Sequence, residues 1–134
     1  MTAGTARRVR SGEVDLAVRE YGDPAAPPLL AVHGYPDTQV LWEPVAARLA
    51  DRFRVVTYDV RGAGESTAPR DRDGYHVDRL VDDVVAVLDA VARRSTVQRP
   101  VHLLGHDWGS VQLWEVVTRE QRDDRLRGRL ASYT

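Results

Sequence analysis

Three short stretches hold the residue types that do chemistry: His33-Gly34-Tyr35-Pro36-Asp37, Asp59-Val60-Arg61-Gly62-Ala63-Gly64-Glu65-Ser66, and Gly105-His106-Asp107-Trp108-Gly109. In the third, a carboxylate sits between the apolar run Leu103-Leu104 and a segment with helical spacing. An aspartate at a helix amino terminus is favoured in its ionised form by the backbone N–H groups and the helix dipole, which keeps it a nucleophile at neutral pH. A carboxylate suits attack at an alkyl carbon, because it opens an epoxide or displaces a halide and leaves a hydrolysable ester. Gly105 and Gly109 carry no Cβ and so let a strand and a helix meet closely on either side of Asp107. The competing reading is that Asp107 only caps its helix, a common role for this residue type.

These stretches need elements that bring them together. Val14–Glu20 alternates apolar and polar residues as a half-buried strand does, and Tyr21-Gly22-Asp23-Pro24 carries turn chemistry. Leu29–His33 is short and continuously apolar, which suits a central strand of a parallel sheet. Thr38–Asp51 reads as a helix through Leu41, Val45 and Leu49, with Pro44 in its first turn. A strand over Phe53–Tyr58, a helix striped by Leu80, Val84, Leu88 and Val91, a strand from Val101 to His106 and a helix from Trp108 to about Arg122 follow. On the last helix, Val111, Trp114 and Val117 mark the apolar spacing, and Trp42 and Trp114 read as core. The closing residues, Arg129 to Thr134, open one more strand. This order predicts an α/β fold with a mostly parallel sheet and flanking helices, in which ligands bind beyond the carboxyl ends of the strands. All three chemical stretches lie there.

The three motifs in this order resemble the α/β-hydrolase family, and most closely the epoxide-hydrolase-like domain of bimodular proteins that continue into a short-chain dehydrogenase. The resemblance runs from about Val14 to Thr134. It implies a nucleophile elbow with Asp107 as the catalytic residue, in place of the serine of G-x-S-x-G enzymes. It also implies an oxyanion hole formed by the backbone N–H groups of Tyr35 and Trp108. His33, Gly34, Pro36, Gly105, His106 and Gly109 support the site in this reading, with His33 beneath the oxyanion loop, and the Asp59–Ser66 turn is structural. The substrate it implies is a small epoxide, with an alkyl halide as the dehalogenase alternative, and no cofactor. A non-catalytic fragment that keeps the fold is the third reading. The family's acid, histidine and cap arrive later in the chain, so residues 1–134 are expected to form the amino-terminal portion of the domain, truncated near the sixth strand. Slow or absent turnover and a completing carboxyl-terminal polypeptide follow as expectations.

Composition excludes other classes. No residue is cysteine, which removes disulfide scaffolds and thiolate zinc sites. The four histidines offer no convincing three-ligand spacing, so no metal is expected. A net charge of -1 with both signs interleaved leaves no basic face for nucleic acid. Gly62-Ala63-Gly64 is not a dinucleotide fingerprint, because Thr67 stands where its third small residue belongs. No apolar run approaches the roughly 20 residues that span a bilayer, and Met1–Leu16 lacks a secretory apolar stretch. A cytoplasmic location without membrane contact is expected.

Overall fold

A computed structural model describes residues 4–134. Met1–Ala3, part of the segment read above as no secretory signal, lie outside the described residues. Six strands form one mixed sheet in the order β1-β2-β4-β3-β5-β6: β1 Thr5–Ser11, β2 Val14–Tyr21, β3 Pro28–Val32, β4 Arg54–Tyr58, β5 Val101–Gly105 and β6 Leu130–Tyr133. β1 and β2 make an antiparallel hairpin, and β2 pairs antiparallel with β4. From β4 through β3 and β5 to β6 the pairing is parallel.

The centre of the sheet follows from its residues. β3, PLLAV, and β4, RVVTY, are buried at every position, as strands covered on both faces must be. Helices α2 (Val77–Arg93) and α3 (Trp108–Arg119) cover one face. There Val81, Val84, Leu88 and Val91 of α2 and Leu113 and Val116 of α3 pack on Leu16, Leu30, Val32, Val56 and Leu103. The other face is covered by a 3-10 turn, Gln39–Trp42, that runs into α1, Glu43–Leu49. Trp42 and Ala46 close a smaller core there with Tyr21, Leu29, Ala31 and Val55.

Two expectations need correction. The Thr38–Asp51 segment is not one helix: Thr38 caps the 3-10 turn by accepting from the Val40 N–H, and Pro44 sits in the first turn of α1, where its missing N–H costs no bond. On α3 the face toward the core is Gly109, Gln112, Leu113 and Val116, whereas Trp114 is 56% exposed and Val111 is also exposed. Trp42 is buried as expected. Gln112 turns inward because its amide has partners: Nε2 donates to the Tyr58 hydroxyl at 2.8 Å and to the Leu80 carbonyl at 3.2 Å. Among the described residues no helix is long and apolar enough to cross a membrane.

Candidate active site

Three loops meet where the parallel strands end. His33–Thr38 leaves β3, Asp59–Ser66 leaves β4, and His106-Asp107 links β5 to α3. The ladder between β3 and β5 ends on the pair Val32 and Gly105, and the His106 N–H extends it with a 3.2 Å bond to the Val32 carbonyl. Asp107 is the only non-glycine residue with positive φ among those described, at φ 57 and ψ -129. Such a conformation costs on the order of 1–3 kcal/mol in a residue with a Cβ and persists only where its surroundings hold it.

The surroundings that hold it are glycines. A Cβ on Gly105 would stand 2.6 Å from the Cα of Ser110, and one on Gly109 would stand 2.1 Å from the Val32 carbonyl oxygen. On Gly34 it would meet the Cβ of Asp107 at 2.4 Å. All three positions are therefore closed to a side chain while α3 and the Gly34 loop approach β5 this tightly.

Asp107 does not cap α3 with its side chain. The helix start is served by its carbonyl, which accepts from the Ser110 N–H at 2.9 Å and the Ser110 hydroxyl at 2.6 Å. The carboxylate turns instead to the neighbouring loop, where Oδ2 accepts the Tyr35 N–H at 3.0 Å. That bond, and then the Trp108 N–H, hold the Asp107 carboxyl below the usual carboxylate range.

The buried polar residues of the first two motifs act as braces. His33 is buried, with Nδ1 against the Gly34 carbonyl at 2.8 Å and Nε2 accepting the Val60 N–H at 2.9 Å. This pattern assigns the neutral Nδ1–H tautomer and ties the first loop to the second. His106 and Pro36 are exposed. The Asp59 carboxylate, buried, accepts from the Gln39 N–H at 2.8 Å and the Glu65 N–H at 2.9 Å, which fastens the Gly34–Thr38 loop and the Gly62-Ala63-Gly64 turn to the end of β4. Sequence reasoning gave the Asp59–Ser66 stretch a structural role and named none of its bonds. Arg61 and Asp83, both buried, form a bidentate pair at 2.8 and 2.6 Å, a partnership 22 residues apart that spacing could not reveal.

Beside Asp107 lies a cleft of about 840 Å³ walled by Tyr35, Val60, Tyr75, Leu80, Trp108 and Val111. Its size is that of a small-molecule site. Asp107 itself is exposed and stands outside the lining, while the two residues whose amides it meets, Tyr35 and Trp108, belong to it. A smaller cavity of about 220 Å³ lies at the opposite ends of the strands, around Pro28, Arg54 and Val101. Arg54 is engaged there by Glu20, Ser95 and the Val91 carbonyl. No group of three His, Cys, Asp or Glu side chains suited to a metal occurs among the described residues.

Residues 27–128 match the family described as alpha/beta hydrolase fold. The chain belongs to the α/β-hydrolase fold family. Its fold within that family is epoxide-hydrolase-like: the chain has a TM-score of 0.81 and 28% identity to the epoxide hydrolase VrEH1 of Vigna radiata, over 97% of this chain and 38% of that one. Epoxide Hydrolase A of Mycobacterium thermoresistibile gives a TM-score of 0.80 at 28% identity, over 98% of this chain and 38% of that one. In sequence, the α/β-hydrolase is 43% identical over 121 residues to "Probable oxidoreductase EphD" of Mycobacterium tuberculosis, a match over 90% of this chain and 19% of the relative. It is 37% identical over 115 residues to "Epoxide hydrolase A" of the same species, over 85% of this chain and 34% of the relative. The chain thus spans a fifth to a third of the length of these curated relatives.

Proposed function

We propose that this chain carries the nucleophile and the oxyanion-binding amides of an epoxide hydrolase. The observation that carries the proposal is the positive-φ Asp107 whose carboxylate accepts the Tyr35 N–H instead of capping its own helix. In the first step a carboxylate oxygen of Asp107 forms a bond to an epoxide carbon. The ring C–O bond breaks with its electron pair on the departing oxygen, which takes a proton from solvent, and an alkyl-enzyme ester results. In the second step water adds to the ester carbonyl, and the negative charge that develops on the carbonyl oxygen falls where the Tyr35 and Trp108 N–H groups converge. Collapse of this tetrahedral species releases the diol and restores the carboxylate.

The second step needs a general base, worth about 10²–10⁴-fold in rate. His33 has both ring nitrogens engaged, His102 bonds Ser132, His76 stands beside Asp73, and neither His76 nor His106 lines the cleft. In this reading the base and its partner acid come from a carboxyl-terminal polypeptide that completes the domain, and these 134 residues alone stop at the ester. The oxidoreductase name of EphD belongs to a protein of which this chain matches 19%, and it carries no step here.

The test is covalent labelling. Incubation with a reactive epoxide such as styrene oxide, followed by peptide mass mapping, should place one adduct on Asp107, and Asp107→Asn should abolish it. An alkyl bromide run in parallel, with halide release measured, reads out the dehalogenase alternative. Labelling elsewhere while Asp107 stays unmodified would refute the assignment, as would steady diol production by this chain at enzyme-like rates for the predicted arrest.

A further inference from the structure

The cleft walls are largely apolar, and several of the polar side chains among them are already committed. His33 holds Gly34 and Val60, Arg61 holds Asp83, and the Gln112 amide nitrogen holds Tyr58 and Leu80. Asp37 accepts the Thr38 N–H. Tyr75 differs from them. Its hydroxyl makes no hydrogen bond with any described residue, its ring is half-exposed, and it lines the same cleft as Tyr35 and Trp108.

The structure anchors the backbone beside this hydroxyl and keeps the space in front of it clear. Arg61 Nη1 donates to the carbonyl of Gly74, the residue before it, at 2.6 Å, and Arg61 is itself clamped by the buried Asp83. Gly62, at φ +80, leaves open the space in front: a Cβ there would lie 2.3 Å from the Tyr75 hydroxyl oxygen. A buried ion pair thus anchors the backbone beside Tyr75, and a left-handed glycine leaves room for a hydroxyl that bonds nothing among the described residues.

From this we infer that Tyr75 is a specificity-determining residue whose hydroxyl binds an acceptor oxygen on the substrate. The substrate class is a neutral epoxide with an apolar or aromatic body that also carries an ether or similar acceptor oxygen. The inference rests on the cleft being the substrate site of the reaction proposed above. Arg61 and Gly62 act through Tyr75 as positioning residues.

Equilibrium binding tests the inference independently of Asp107 chemistry. The probes are two diols, 3-phenoxypropane-1,2-diol and 4-phenylbutane-1,2-diol, which differ by an ether oxygen in place of a methylene. Binding to the 134-residue chain is followed by tryptophan fluorescence, to which Trp108 at the cleft contributes. One hydrogen bond predicts about a three- to tenfold preference for the ether. Tyr75→Phe should erase that preference while leaving the affinity for the carbon analogue unchanged. Gly62→Ala should erase it with the phenol still present. A preference that survives Tyr75→Phe, an equal fall for both diols, or no binding of either would overturn the inference. Failure of Asp107 labelling with the ether preference intact would sink the reaction and spare the recognition, so the two outcomes separate.

Discussion

Gly109→Ala sets two physical effects against each other. Alanine replaces glycine within α3, and helix propensity alone makes that exchange stabilising by about 1 kcal/mol. The added Cβ, however, would lie 2.1 Å from the Val32 carbonyl oxygen, 2.6 Å from that of His33 and 2.7 Å from the Val32 carbonyl carbon, where ordinary contact begins at 3.4 Å. The shortfall is 1.3 Å against a backbone atom of the central strand, so α3 and β3 must part by roughly that distance. Forced overpacking of this kind costs about 1–3 kcal/mol, enough to reverse the propensity gain. The same shift moves Asp107 away from the Tyr35 N–H, and displacement of a reacting group by about 1 Å costs on the order of 10²-fold in rate. Urea denaturation and the epoxide labelling rate read the two consequences separately. Gly12→Ala is the control: Gly12, unlike Gly109, has positive φ, and nothing lies within 4 Å of its Cβ position, so it should lose about 1 kcal/mol of stability through backbone strain and no labelling. If Gly109→Ala is as stable as the native chain and labels at the native rate, the close approach of α3 to β3 does not set the site.

Because the Tyr35 and Trp108 N–H groups depress the Asp107 carboxyl, labelling should stay constant from neutral pH downward and halve only below the ordinary aspartate value of about 3.9. The stabilisation from this bond is present above that pH and lost as pH falls through the lower folded value; a labelling midpoint at or above 3.9 in a pH series contradicts it. Asp83→Ala should destabilise by about 3–5 kcal/mol in chemical denaturation by stranding the buried Arg61 guanidinium, and Arg61→Met with Asp83→Leu should recover most of the loss. Leu113→Ala should cost about 2–5 kcal/mol and Trp114→Ala no more than about 1.5 kcal/mol, since Leu113 is buried whereas Trp114 meets the tilted ring of Tyr133 in the open; thermal melts compare them.

Elements carried by a continuous apolar run or a regular apolar period were legible in the sequence, and β1, which has neither, was not. The runs that became β3, β4 and β5 are continuously apolar or nearly so, and α2 carries its stripe in full. Strand β1 went unread because Thr5, Ala6, Arg7 and Arg8 are exposed and only Val9 and Ser11 face inward. It is held by its pairing with β2, a non-local bond pattern that side-chain periodicity does not record. On α3 two spacings compete, and weighting tryptophan as core picked the wrong one. A glycine and a glutamine lie on the inward face because one must be small against Val32 and the other finds Tyr58, and neither reason is visible without the neighbouring strands. For the proposed site, the order of the motifs and the family resemblance singled out Asp107, Tyr35 and Trp108, whose loops the fold brings side by side. The brace formed by Asp59, Arg61 and Asp83 depends on partners fixed only by the fold.

The bond between the Tyr35 amide and the Asp107 carboxylate joins positions 72 residues apart. It exists only while β3 and β5 are zipped side by side up to Val32 and Gly105. Under the reaction proposed above, an electrophile that labels residue 107 counts molecules in which that seam is closed. Parting the two strands should then slow the labelling even while α2 keeps every turn, which would make the carboxylate a chemical gauge of the middle of the sheet.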